Sequence, residues 1–325
     1  MNETERLLAR LVEGRQTPSV QYVFFDQDRT IQHTQLGYAD VLHRRGTTAQ
    51  TTYQAYSVTK TFTALALLQL AEQHRLALDQ PALSYLPDFP YGLDITVRHL
   101  LTHTAGLPNP LPLGWIHLAS EHPTFDSRAF FQRIFRQHPT PRTPPNQRFA
   151  YSNLGYVLLG QVIEHVSGLR YEDYVRQHIL APLQLTAREL GFAVADARCH
   201  AKGYHKRTSF SYLLLGWLLD KDKYMNPAEG MWKPFKTVYV NGASYGGLIG
   251  TAPAFVRYLQ ALLTSHSVLL SDEYKQQLFA ENRTNDHRPT GMCLAWFRGR
   301  RKGPTTWPMR AAAAGITVNY VSTRL

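Results

Sequence analysis

Residues 55–73 read AYSVTKTFTALALLQLAEQ and are apolar on most faces of a helix. A surface helix needs a polar face, so this segment has to run through the inside of a folded domain, enclosed by apolar surface from elsewhere in the chain. The chain has the means: 325 residues, 44% hydrophobic and 18% charged, suffice for a sizeable core and exclude a disordered or fibrous protein.

The flanking segments set the class. At the start, Leu7, Leu8, Leu11 and Val12 fall at helical spacing, and VQYVFF, a turn at residues 26–29 and TIQHTQLGYAD predict a β-hairpin after that helix. Pro- and Gly-rich loops follow the long helix, at HLLTHTAGLPNPLP (99–112) and HPTPRTPPNQ (138–147). A helix is expected from Asn153 to about Val166, ending at Gly168. Near the end, KTVYV reads as a strand and Thr251 and Pro253 open a helix over TAPAFVRYLQALL, with strands expected thereafter. Helical middle between β-rich ends predicts an α+β fold: an antiparallel sheet from both termini, flanking helices and a helical insert. It forms a single domain over 1–325, with 1–55 and 236–325 as the sheet part and 56–235 mainly helical.

The buried helix also carries chemistry. Ser57-Val58-Thr59-Lys60 sets a hydroxyl and an amine three residues apart, on one face about a turn from each other. An amine accepts the serine proton only if neutral, and burial in an apolar helix lowers its pKa in that direction. Tyr151-Ser152-Asn153 adds a phenol able to shuttle a proton and an amide able to hold a substrate carbonyl. The same Tyr-x-Asn spacing occurs at Tyr224–Asn226 and Tyr239–Asn241, but only Tyr151 is delivered by a Pro-rich loop to the start of a helix.

Two motifs compete. Gly242-Ala243-Ser244-Tyr245-Gly246 has the Gly-x-Ser-x-Gly spacing of a nucleophile elbow, which requires a helix directly after the serine; Gly246, Gly247 and Gly250 are expected to postpone that helix to Pro253. Among the fourteen histidines none has His-Glu-x-x-His spacing, so no metal or other cofactor is expected. Cys199 and Cys293 are too few for a disulfide scaffold.

Four segments, AYSVTKTFTALALLQL, ITVRHLLTHTAGLP, RFAYSNLGYVLLGQVIEHVSGLRYEDYV and SYGGLIGTAPAFVRYLQ, in this order resemble the penicillin-recognising serine hydrolases, with the closest look to class C β-lactamases and their esterase and amidase relatives. The resemblance spans roughly residues 1–298. It implies a β-lactamase/transpeptidase-like fold with Ser57 as the acylated nucleophile, Lys60 as its proton partner, Tyr151 as the base or acid for attack and leaving group, and Asn153 as a substrate contact. His103, Gly106 and Leu107 would be loop architecture. An ester or amide substrate, cleaved without a cofactor, is expected in preference to a β-lactam.

The family's third motif, Lys-Thr-Gly or His-x-Gly on a strand beside the site, is missing. Lys236-Thr237 is followed by Val238 and comes too early, and WPMRAAAAGITVNYVSTRL stands where the motif belongs. A shifted reading frame over that stretch permits His-Ala-Gly, so a frameshift between about Phe297 and Trp307 and a C-terminus short of the family's closing elements are expected. The alternative function class is a catalytically inactive relative that keeps the fold for binding.

Charge supports the same division. The formal charge is +11, but residues 287–325 hold seven basic residues and no acidic one, leaving +4 for the first 286 residues. Basicity confined to a tail, without interleaved aromatic residues, argues against a nucleic-acid groove. MNETERLLARLVEG lacks a continuous apolar run and does not read as a signal peptide, and the apolar run at 212–219 is too short to span a bilayer. A soluble, cytoplasmic protein acting on a small molecule, without a membrane span, is therefore expected; its oligomeric state is open.

Overall fold

The structure is a computed structural model, described here for residues 2–298 and, by backbone alone, for 306–313 and 316–323. Helix α1 (Glu3–Glu13) begins in a capping box: Asn2 accepts from the Glu5 amide while the Glu5 carboxylate accepts from the Asn2 amide. The hairpin β1 (Ser19–Phe25) and β2 (Thr30–Asp40) pairs antiparallel from Ser19↔Gly37, and β3 (Arg45–Gly46) extends it beyond β2. Strand β4 (Tyr53–Gln54) and a 3-10 turn (Tyr56–Val58) lead into α2 (Thr59–Glu72). Then come α3 (Val97–Leu101), β5 (Ile116–Leu118), α4 (Ser127–Gln137), α5 (Asn153–Ser167), α6 (Tyr171–Val175), β6 (Leu190–Gly191) and β7 (Tyr204–Lys206). Helices α7 (Phe210–Leu218) and α8 (Lys221–Tyr224) precede β8 (Trp232–Pro234), β9 (Val238–Val240), α9 (Ala243–Gly246) and β10 (Ile249–Gly250). The last elements are α10 (Ala252–Leu263), α11 (Asp272–Phe279), β11 (Phe297–Arg298), β12 (Thr306–Ala313) and β13 (Ile316–Thr323).

The α+β class is the one expected. Among the described residues the two ends each form their own antiparallel three-stranded sheet, β1-β2-β3 and β11-β12-β13, while β4-β10-β6, β5-β9 and β7-β8 are small ladders between them. Of the residues proposed to follow a frameshift, 299–305, 314, 315, 324 and 325 lie outside the described residues, as do all side chains beyond 298.

Helix α2 fills the centre. Every residue from Thr59 to Ala71 is buried, and α5, α6, α9 and α11 pack around it. Phe62 stacks on Tyr258 of α10 at 3.9 Å between ring centroids. Phe62, Leu65, Leu67, Leu68 and Leu70 have no exposed surface, and each such side chain contributes about 1.5–3 kcal/mol. The threonines are affordable in this setting because their hydroxyls are bonded: Thr61 donates to the Val58 carbonyl at 2.8 Å and Thr63 to the Ser244 carbonyl at 2.7 Å.

Candidate active site

The turn Tyr56–Val58 sets Ser57 at the head of α2, and its preceding residue, Tyr56, holds φ +42, a left-handed value that costs a non-glycine residue about 1–3 kcal/mol. Segment 245–248 stitches the turn down. The Ala55 amide donates to the Leu248 carbonyl at 2.8 Å, and the Leu248 amide donates to Thr59 Oγ1 at 3.1 Å.

One turn along, Lys60 is 2% exposed. Its Nζ donates to three acceptors: Ser57 Oγ at 3.2 Å, Asn153 Oδ1 at 2.9 Å and the Tyr245 carbonyl at 2.7 Å. The rings of Tyr151, Tyr156 and Tyr245 surround it at 5.1, 5.4 and 5.5 Å from their centroids. Burial holds the Lys60 pKa well below that of an ordinary lysine, because the charged form loses its water.

Tyr151 reaches the same point from the far side, its hydroxyl 2.8 Å from Ser57 Oγ. Burial raises the Tyr151 pKa, and the hydrogen bond with Ser57 offsets only part of that. The loop behind it is built around His103. The His103 ring lies 4.3 Å under Tyr151, its Nδ1 accepts from the Ser152 amide at 3.2 Å, and its carbonyl accepts from the Ala150 amide at 2.7 Å. Burial, with the nearby Lys60 charge, pushes its pKa well below the usual histidine value, so the ring is neutral. Gly106 has φ +69, and a Cβ there would lie 2.1 Å from the Thr143 carbonyl oxygen, so this close crossing of loops 99–112 and 138–147 admits only glycine.

Helix α5 starts where its sequence requires. Ser152 caps it, accepting from the Gly155 amide and donating to the Pro108 carbonyl at 2.8 Å. Asn153 is thereby aimed at Lys60. Lysine offers only donors, so the amide oxygen of Asn153 faces Nζ and its NH2 is directed elsewhere, with no acceptor among the described residues.

Thus Ser57, Lys60, Tyr151 and Asn153, separated by up to 96 positions in the chain, meet within hydrogen-bonding reach. The competing residues do not join them. Ser244 is buried, its Oγ donating to the Tyr156 carbonyl at 2.8 Å. The expectation that the glycines delay the helix after this serine to Pro253 needs correcting: the one-turn helix α9 already begins at Ala243, and it is the burial of the hydroxyl against α5 that removes Ser244. The other Tyr-x-Asn pairs are structural, with the Tyr224 hydroxyl donating to the Ile116 carbonyl and the Tyr239 hydroxyl accepting from the Val194 amide. Lys236 donates to the Asp222 carbonyl.

Tyr245 and Tyr156 also surround Lys60, although the motif that contains Tyr245 points to Ser244 instead and none points to Tyr156. A backbone carbonyl has no residue-type signal, and a ring that walls a lysine looks in sequence like any core aromatic. Strands β12 and β13 each have Cα atoms within 8 Å of the Ser57 turn, so the backbone of the C-terminal hairpin runs beside that turn. Among the described residues no cluster of three or more His, Cys, Asp or Glu side chains is arranged to hold a metal.

The chain belongs to the beta-lactamase family, whose model matches residues 4–320. Among individual proteins it is similar to penicillin-binding protein 4* of Bacillus subtilis (strain 168), 27% identical over 271 residues that make up 81% of this chain and 56% of the relative. The chain thus spans about half the length of that protein. In fold it is similar to the octameric penicillin-binding protein homologue from Pyrococcus abyssi, with TM-score 0.73, 23% identity, and coverage of 95% of this chain and 67% of the other. It is also similar to the D-amino acid amidase from Ochrobactrum anthropi SV3, with TM-score 0.68, 20% identity, and coverage of 96% and 85%.

Proposed function

We propose that the chain is a serine hydrolase that cleaves a small ester or amide through an acyl-Ser57 intermediate. The observation that carries this is the set of acceptors around Lys60. Two of its three partners, the Asn153 amide oxygen and the Tyr245 carbonyl, can only accept, whereas the third, Ser57 Oγ, can also donate. When Lys60 loses a proton it keeps the first two bonds with its remaining hydrogens, and its lone pair is left facing the serine hydroxyl. Burial favours that neutral form. The arrangement therefore presets a base against the one hydroxyl that has to be activated.

The steps follow. Ser57 Oγ attacks the substrate carbonyl carbon as its proton passes to Lys60 Nζ, and a C–O bond forms in a tetrahedral adduct. Collapse breaks the bond to the leaving alcohol or amine, which takes a proton from the Tyr151 hydroxyl; burial keeps Tyr151 a neutral phenol, so the proton that Lys60 took from Ser57 then passes to the tyrosinate oxygen and leaves Lys60 neutral again. Water then attacks the acyl ester with the same groups reversing roles, releasing the acid and restoring Ser57. The free NH2 of Asn153 holds the substrate. Resemblance to a D-amino acid amidase favours a small amide among the substrates to be tried first.

A fluorophosphonate probe tests the assignment. The wild-type chain and Ser244→Ala are expected to be labelled and Ser57→Ala is not. Labelling that survives in Ser57→Ala moves the nucleophile elsewhere, and an unlabelled wild type identifies a fold kept for binding alone.

A further inference from the structure

Helix α7 exposes a continuous apolar stripe. Phe210, Leu213, Leu214, Trp217 and Leu218 recur at the i, i+3, i+4, i+7, i+8 spacing of one helical face, with Phe210 at 74%, Leu213 at 65% and Trp217 at 92% exposure. The opposite face is anchored: Leu215 and Leu219 are buried with Met225, and Tyr212, Tyr224, Phe235 and Ile116 pack against them. The stripe is therefore presented on a fixed platform.

Basic residues flank both ends of the helix. Lys206 and Arg207 precede it, Lys221 and Lys223 follow it, and Lys233 lies on the adjoining strand β8. Lys223 pairs with Glu121; Arg207 donates to the Gly230 carbonyl and Lys221 lies over the Tyr212 ring. Among the described residues no carboxylate pairs with Lys206, Arg207, Lys221 or Lys233. The acids nearest in sequence, Asp220 and Asp222, sit at the start of α8, where Asp220 accepts from the Asp222 and Lys223 amides.

We propose that α7 docks this protein on an anionic lipid surface, the stripe entering the acyl–headgroup boundary while the flanking cations meet lipid phosphates. Nine residues make a helix about 14 Å long, under half of a roughly 30 Å hydrocarbon core, so the helix lies in the interface and does not cross it. A second copy of this chain fits the face less well. A two-fold contact through the stripe would bring each copy's unpaired cations against the other's.

Co-sedimentation of the full chain with phosphatidylglycerol-containing vesicles and with phosphatidylcholine-only vesicles tests this. Binding to the anionic vesicles is expected, with weakening at high salt and a blue shift of tryptophan emission that is absent in Trp217→Phe. The pair Leu213→Ser with Trp217→Ser, and separately Lys206→Glu with Lys221→Glu, should each weaken binding about tenfold or more while ester hydrolysis is unchanged. Equal binding by wild type and both variants, or no binding to anionic vesicles, overturns the proposal. So does a dimer in size-exclusion chromatography that the Leu213→Ser, Trp217→Ser pair dissolves without any vesicle binding by wild type.

Discussion

Helices α2 and α7 are both rich in apolar residues, eight of fourteen in one and seven of nine in the other, yet they end up in opposite surroundings. Composition alone would bury α7 first. The difference lies in what their neighbours supply. Helix α2 is enclosed by α5, α6, α9, α10 and α11 and has its hydroxyls and its one amine bonded internally, so it forms the floor from which Lys60 projects, just after the turn that holds Ser57. Helix α7 has only the small cluster of Leu215, Leu219 and Met225 behind it. Its region is tied to the N-terminal sheet by Lys202, which bridges Asp40 at 2.9 Å and Glu229 at 2.8 Å. Apolar area measures what a helix could bury; the packing around it decides what it does bury.

The largest effect should come from the α2 side of this comparison. Lys60→Met is expected to lower kcat/KM for a nitrophenyl ester by about 10²–10⁴-fold, the usual worth of a positioned base, whereas Trp217→Ser leaves it unchanged. The pH profile carries a sign as well. Since Lys60 must be neutral and burial lowers its pKa, wild-type rate should rise with pH through that pKa and then level off, and a rate that instead falls over that range would remove Lys60 as the base.

Stability should divide in the same way. Leu67→Ala, in the fully enclosed helix, is expected to cost about 2–5 kcal/mol in urea unfolding, and a loss below 1 kcal/mol would show that α2 is less tightly enclosed than its zero exposure implies. Lys202→Met leaves Asp40 and Glu229 without their cation and should destabilise by up to about 3 kcal/mol, discounted from a fully buried pair because Lys202 keeps some exposure. Burial raises the Asp40 pKa, but hydrogen bonds from His43 and Lys202 outweigh it and hold the value at about 2, below the ordinary 3.8. The contribution of Asp40 is therefore whole above pH 3.8 and is lost as pH falls toward 2, so the gap between wild type and Lys202→Met should narrow over that window. The smallest change belongs to Leu213→Ser, within about 0.5 kcal/mol, as for other surface positions; a larger loss would mean the stripe is covered within the molecule.

Much of the fold was legible because it rests on local patterns. The first hairpin, the start and stop of α5 at Asn153 and Gly168, and the opening of α10 at Thr251 stand where the sequence pattern puts them. The short helix α9 was not legible: three nearby glycines argue against a helix, and long-range packing against α2, α5 and α6, with the hydrogen bonds of Ser244 to Tyr156 and Thr63, holds that single turn. The four residues that meet at Ser57 and Lys60 were legible as candidates from their motifs, but three Tyr-x-Asn pairs and two candidate serines could not be ranked on spacing alone. Burial of Ser244 against the Tyr156 carbonyl separates the serines, and no local pattern carries that information.

The sequence by itself determined that the helix after Ser57 would be interior, as it is from Val58 to Ala71, because a helix without a polar face has no other stable place, and that Ser57 and Lys60 would share a face, because their separation is three residues. Tertiary structure decided the rest. It brought the Tyr245 carbonyl and the Asn153 amide oxygen to Lys60 from elements that have no sequence link to it, and it left α7 exposed although its composition favours burial. Both outcomes depend on long-range packing, which fixes solvent access and dipole orientation at a point in space, and neither quantity is a property of any local stretch of chain.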